Sequence, residues 1–180
     1  MNGHIDVTSE YGKGSVFTAV IPQTINRDGA DGSFDPENPD NPDESIAYTT
    51  PDCVFLVVDD NRLNLIIASR FLDDLSGTIE TVQSGQEALR KMKEKKYDII
   101  FMDHMMPEMD GIETYKAAKS NPDNLNLDTP VIMMTANALS GVREEYLEIG
   151  FSDYISKPVD IKELKRVVKK HLPHEKIKKK

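Results

Sequence analysis

The chain contains no tryptophan and a single cysteine, Cys53, in 180 residues. One thiol excludes an internal disulfide framework, and its place at the head of an apolar run reads as buried filler rather than a reactive group. Nowhere do about 18 consecutive apolar residues occur, and the N-terminus lacks a basic segment followed by an apolar one. Neither a membrane span nor a secretory leader is therefore expected. A basic surface is lacking too. Asp and Glu number 31 against 22 Lys and Arg, a formal net charge of −9, which argues against nucleic acid as a partner. Together these absences lead to the expectation of a soluble cytoplasmic chain without membrane contact.

The charge that is present is uneven. Between Arg27 and Asp52 stand eight carboxylates (Asp28, Asp31, Asp35, Glu37, Asp40, Asp43, Glu44 and Asp52) against the single Arg27. Most of the acidic excess sits there, among Pro36, Pro39, Pro42 and Pro51. So few apolar residues cannot bury enough surface to offset chain entropy, and residues 25–51 read as a disordered acidic linker. Before it, residues 1–24 hold two alternating runs, His4–Ser9 and Ser15–Ile21, around Tyr11-Gly-Lys-Gly14. That pattern predicts a β-hairpin. An isolated hairpin is marginally stable in water and needs a larger sheet.

Residues 52–173 alternate strand-like and helix-like stretches five times. Val54–Val58, Ile79–Val82, Ile99–Met102, Val131–Met134 and Asp153–Ser156 are apolar runs of strand length. Helical spacing follows each, over Asn61–Leu75, from Ser84 through Met92, over Ile112–Lys119, over Leu139–Ile149 and over Asp160–His171. Ser84 with Glu87 predicts a capping box, and Gly150 a C-terminal cap. Such alternation predicts an α/β fold, a doubly wound five-stranded parallel sheet with helices on both faces. Residues 174–180 read as a frayed basic tail.

Parallel strands deliver their carboxyl ends to one edge. That edge would collect Asp59 and Asp60, Asp103, Thr135 and Lys157, each at or just after a strand end. Adjacent aspartates repel, and a third carboxylate adds to the cost. A hard cation such as Mg²⁺, which takes oxygen ligands and keeps substrate phosphate oxygens, resolves it. The pair alone is also explained by a solvated helix entry with Asp60 or Asn61 as the cap. Asp103 shifts the balance. It ends a buried strand ahead of a loop containing Pro107 and Gly111, which suits a carboxylate attacking phosphorus. Lys157 can neutralise equatorial oxygens and the Thr135 hydroxyl can donate to another. His104, beside Asp103, has no partner visible in the sequence and receives no catalytic role.

Val57-Val-Asp-Asp-Asn-Arg-Leu-Asn64, Asp98-Ile-Ile-Phe-Met-Asp103, Met106-Pro-Glu-Met-Asp-Gly111, Met134-Thr-Ala136 and Lys157-Pro158 closely resemble the receiver domain of response regulators, over about two-thirds of the chain. The resemblance implies a flavodoxin-like receiver fold with Asp103 as the phosphoacceptor. It implies Mg²⁺ held by Asp60 directly, by Asp59 through water, by Asp103 and by the backbone carbonyl of Met105. Lys157 would contact the phosphoryl group, and the bond before Pro158 would be cis. Thr135 would turn toward the phosphoryl oxygens and Tyr154 would follow inward, as a switch. The donor would be a histidine kinase domain and the onward partner a histidine phosphotransfer protein.

Residues Asn2–Pro22 look like the last strands of a histidine kinase ATP-binding domain, with Gly12-Lys-Gly14 ending its glycine box. The kinase asparagine box, the Asp-x-Gly-x-Gly box and the phosphorylated-histidine helices are absent from the sequence. The expectation is the C-terminal portion of a hybrid sensor histidine kinase, whose chemistry in this chain stops at its own phosphorylation and hydrolysis. Two alternatives stand beside it. A Mg²⁺-dependent aspartyl phosphatase typically carries a second acid two residues after the nucleophile, where this chain has Met105. A pseudo-receiver would bind partners without phosphorylation, and the complete set of five site residues counts against it.

Overall fold

The computed structural model describes residues 4–10, 12, 14–20, 48–136 and 142–179. They fall in two compact units, 1–41 and 42–180. Most of the expected linker, and Tyr11 and Lys13 of the expected turn, lie outside the described residues. In the first unit, β1 (His4–Glu10) pairs antiparallel with β2 (Gly14–Val20), from His4↔Val20 to Glu10↔Gly14. Gly12 has φ +82°, a conformation that favours glycine. Strand alternation puts Ile5, Val7 and Phe17 on one face. Ile5 and Phe17 are each 73% exposed.

The second unit opens with the short strand β3 (Tyr48–Thr49). Five βα pairs follow: β4 (Val54–Val58) and α1 (Arg62–Asp73), β5 (Thr78–Val82) and α2 (Gly85–Glu94), β6 (Ile99–Asp103) and α3 (Gly111–Lys119), β7 (Val131–Thr135) and α4 (Val142–Ile149), β8 (Asp153–Ser156) and α5 (Ile161–His171). A 3-10 turn (His174–Lys176) and β9 (Lys178–Lys179) close the chain. The expected five-stranded parallel sheet is present, in the order β5-β4-β6-β7-β8. Among the described residues no helix is long and apolar enough to cross a membrane.

Alternation along the strands divides the core. Phe55, Val57, Phe101, Ile132 and Ile155 pack with Leu65, Leu72, Leu164 and Val168 of α1 and α5. Leu56, Val58, Ile100, Met102 and Met133 pack with Ala88, Met92, Tyr115 and Tyr146 of α2, α3 and α4. Strands covered on both faces have no solvent side, which is why they read as continuous apolar runs. Each fully buried side chain contributes about 1.5–3 kcal/mol. Cys53 is buried filler as expected, and burial pushes its thiol up to about 11.

The helix termini follow local chemistry. Asn61, Ser84, Asp110 and Asp160 cap the helices they precede. The reciprocal capping box lies at Asp110 and Glu113. At α2, Glu87 instead accepts the Gln83 N–H at 3.0 Å, one residue ahead of the cap. Gly150 ends α4 with φ +113°. Its carbonyl accepts the Tyr115 hydroxyl at 2.6 Å.

The reading of 174–180 as a frayed tail is corrected by residues 174–179. Lys178 and Lys179 pair antiparallel with Thr49 and Tyr48, two residues that the sequence reading leaves in the linker. Ile177 packs against the α1/α5 side of the core, and the buried Tyr48 donates to the Lys165 carbonyl. Lys176 pairs with Asp98 and Lys178 with Asp52. The tail is recognised by apolar contacts and carboxylates distant in sequence, which its own composition does not reveal. The clasp sits at the N-terminal ends of β4 and β6, where Asp98 also accepts the Val54 N–H at 2.8 Å.

Asp153, 3% exposed, opens β8 at the same end of the sheet. Burial alone would raise its pKa. Bonds from Lys170 at 2.7 Å, His171 at 3.1 Å and the Tyr154 N–H at 3.0 Å outweigh that and hold it at about 2. A carboxylate with a depressed folded pKa stabilises the fold above its unfolded pKa, and that contribution disappears as pH falls through the folded value. Asp153→Asn should therefore lower unfolding free energy at neutral pH by roughly 2 kcal/mol. In urea titrations the gap to wild type should close as pH falls from about 5 toward about 2.

Candidate functional site

The sheet order reverses at β4. The chain runs outward to β5 and then returns to the other side as β6, which leaves a crevice beyond the carboxyl ends of β4 and β6. Open α/β sheets bind ligands at such a switch point. Asp59 and Asp60 follow β4, Asp103 ends β6, Thr135 ends β7 and Lys157 follows β8. Register brings these ends level: Val58 pairs with Met102, Asp103 with Met134, and Thr135 with Ser156.

Three carboxylates converge there. Asp59, Asp60 and Asp103 each present an oxygen, and these oxygens lie within 4.8 Å of one another. Asp59 and Asp103 are buried at 0% and 4% exposure, whereas Asp60 faces solvent. Lys157 Nζ bridges the buried pair, at 2.6 Å from both Asp59 Oδ2 and Asp103 Oδ1. Asp59 is held further by the Asn61 N–H at 2.9 Å and by Asn64 Nδ2 at 3.0 and 3.2 Å. One motif thus supplies the carboxylate, the cap of α1 and the amide that orients the carboxylate.

Asp103 has a raised pKa. Its main cause is burial, reinforced by the Asp59 charge and opposed by Lys157 and the Met105 N–H. Burial pulls Lys157 the other way, but its bonds to Asp103 and Asp59 prevail and raise its pKa. The ammonium is therefore firmly charged, and it offsets part of an acidic cluster that would otherwise exclude one ionised member. This oxygen donor set, partly solvated through Asp60, fits a hard divalent cation such as Mg²⁺.

Backbone packing fixes the end of β6. A Cβ on Gly111 would lie 2.2 Å from the Asp103 carbonyl oxygen, and the Gly111 N–H already donates to the His104 carbonyl at 2.9 Å. Only glycine allows α3 to start so close to β6. The Lys157 N–H bonds the Thr135 carbonyl at 2.7 Å, and the Lys157–Pro158 bond is cis. Met105 is 73% exposed. Tyr154 is half-buried against the α2–α4 side of the core.

The structure adds Tyr146, which sequence reasoning passed over, and gives a partner to His104, which sequence reasoning weighed and left without a role. Tyr146, 2% exposed in α4, donates its hydroxyl to Thr135 Oγ1 at 3.2 Å. The same hydroxyl lies 3.0 Å from His104 Nδ1, with the rings edge to face at 5.6 Å between centroids. His104 therefore has a partner after all, 42 positions away in sequence. No local spacing signal announces such a contact.

Two substitutions test this arrangement. Gly111→Ala should cost about 1–3 kcal/mol in chemical denaturation, because backbone at Asp103 must shift. Lys157→Met should destabilise the metal-free protein by roughly 3 kcal/mol, since it strips the partner from two buried carboxylates. Saturating Mg²⁺ should restore more stability to that variant than to wild type, which urea midpoints with Mg²⁺ and with chelator will measure.

Comparison with known proteins agrees with the geometry. The response regulator receiver domain family matches residues 55–169. The aerobic respiration control sensor protein ArcB of Escherichia coli is 32% identical over 170 residues, covering 94% of this chain and 20% of that protein. This chain thus spans about a fifth of the length of such curated relatives. Among solved structures, the receiver domain of the sensor histidine kinase PA1611 from Pseudomonas aeruginosa, with magnesium in its active-site cleft, superimposes with TM-score 0.59 and 32% identity over 66% of this chain and 96% of that one. A receiver domain of the Saccharomyces cerevisiae response regulator Ssk1, solved with the histidine phosphotransfer protein Ypd1, gives TM-score 0.61 and 25% identity over 68% of this chain and 90% of that one. By sequence, topology and the disposition of its carboxylates, this chain belongs to the response regulator receiver domain family.

Proposed function

We propose that the chain serves in a two-component phosphorelay, taking a phosphoryl group on Asp103 from a phosphohistidine of a histidine kinase domain and passing it to a histidine phosphotransfer protein. The observation that carries this reading is the Lys157 ammonium between the buried Asp59 and Asp103 carboxylates, 2.6 Å from each. In the transfer, an Asp103 carboxylate oxygen attacks phosphorus while the P–N bond of the donor breaks, and the donor imidazole leaves and recovers a proton. Mg²⁺, when bound by Asp59, Asp60, Asp103 and the Met105 carbonyl, would neutralise charge on the transferring oxygens. Lys157 moves from carboxylate to phosphoryl oxygen as a mobile point charge. The Thr135 hydroxyl and then Tyr154 carry the change to the face formed by α4, β8 and α5.

Partner choice draws on the exposed surface of α1. Leu63, Ile66 and Ile67 are 61%, 44% and 36% exposed and fall on one helical stripe beginning beside Asp60. An apolar stripe next to the acceptor suits a helical partner presenting its own histidine. The Ypd1–Ssk1 complex supports that kind of partner.

The N-terminal hairpin fits the end of a kinase ATP-binding domain, with residues 25–51 as the linker and 52–173 as the receiver. The ArcB alignment, at 94% of the chain, supports this by extending well beyond the family match. The bare face of Ile5, Val7 and Phe17 suits a strand pair belonging to a larger sheet. A cytoplasmic setting and a chain with no turnover beyond its own phosphorylation and hydrolysis complete the proposal.

Intact-mass analysis after incubation with Mg²⁺ and acetyl phosphate tests it. Wild type should gain one labile, Mg²⁺-dependent phosphoryl adduct, and Asp103→Asn none. Folded wild type that stays unmodified, with a histidine kinase as donor too, would favour a phosphorylation-independent binding module.

A further inference from the structure

Tyr146 and His104, which have no part in the transfer chemistry, form a trio with Thr135, which does. Tyr146 comes from α4, His104 from the loop after β6 and Thr135 from the end of β7, so three segments meet at one hydroxyl. The ring of Tyr146 is fixed independently of that hydroxyl, edge to face with Phe151 at 6.1 Å and with His104 at 5.6 Å. Tyr146 and Thr135 are almost fully buried, at 2% and 1% exposure. Water does not readily replace a partner lost there.

Resting on the phosphoacceptor reading, we propose that Tyr146 is a positioning residue that sets the threshold of the Thr135 switch, with His104 as the partner that lets it go. The Tyr146 hydroxyl holds Thr135 Oγ1 in the unphosphorylated protein. A phosphoryl group on Asp103 must compete for that oxygen. When Thr135 turns away, a buried tyrosine hydroxyl without a partner would be costly. His104 Nδ1, already 3.0 Å away, keeps that hydroxyl bonded and reduces the cost of release. The two side chains thus act on one equilibrium with opposite signs, Tyr146 favouring the resting position of Thr135 and His104 easing departure from it.

The opposition of signs is the test. Tyr146→Phe keeps the ring contacts and removes only the hydroxyl, so adduct formation with Mg²⁺ and acetyl phosphate should be faster by about two- to ten-fold. His104→Phe keeps an edge-to-face ring but removes the alternative partner, so it should slow the same reaction by a similar factor. The effect of Tyr146→Phe should vanish in a Thr135→Ala background, and the Mg²⁺ concentration for half-maximal rate should not change. Equal rates in wild type and Tyr146→Phe, or acceleration that persists without Thr135, would overturn the proposal while leaving the acceptor role of Asp103 intact. Wild type that forms no adduct would overturn both. Should Tyr146→Phe fold poorly, the slowing expected of His104→Phe decides the matter alone, since unaltered or faster reaction there contradicts the release role.

Discussion

One ammonium between two buried carboxylates is the constraint on which the site depends. Asp59 and Asp103 lie buried at the ends of neighbouring strands, where two like charges repel unless a cation stands between them. Lys157 arrives from a fourth strand end and supplies that charge, at 2.6 Å to each. Its position requires β8 to be in register with β7, β7 with β6, and β6 with β4. The sheet is therefore the spacer that sets a distance between charges. The glycine at 111, the amide of Asn64 and the cap at Asn61 are local consequences of keeping that geometry without clashes or orphaned polar atoms.

An ammonium in this place also makes the site replaceable in its parts. A positive charge is required between the carboxylates, but nothing demands that it always be the same one. Lys157 is long, flexible and only partly enclosed, at 17% side-chain exposure, so under the proposed function it could yield its place to a cation or a phosphoryl group. A guanidinium, planar and held in a fork, would adapt less readily.

The strands and the edge that gathers the three carboxylates are legible because their signals are local. Five apolar runs with period-matched helices between them define the sheet, and the residue after each run is the residue at its edge. The starts of α1, α2, α3 and α5 are legible to within a residue, with Asn61, Ser84 and Asp160 in capping positions; the expected start of α4 at Leu139 lies outside the described residues. What escaped was whatever depends on contacts across the fold. One local signal escaped with them: the capping box belongs at Asp110 and Glu113, where hydrophobic period starts the helix one residue late. His104 looked solitary because its partner lies on α4. The last residues looked frayed because lysines usually are, yet Ile177 finds the core and Lys176 finds Asp98. Even Lys165, a charged residue on an amphipathic helix, is 2% exposed and reaches Asp74 at 3.1 Å. Composition describes average behaviour, and these are cases where a distant side chain outvotes the average.

The pairing of β3 with β9 has an architectural consequence. Chain entry and chain exit of the second unit leave together, at the end of the sheet opposite the carboxylates. The first and last strands of this unit thus close on each other at the opposite pole from the charges. Fraying at either end would be felt across the full length of the sheet from the carboxylates rather than among them.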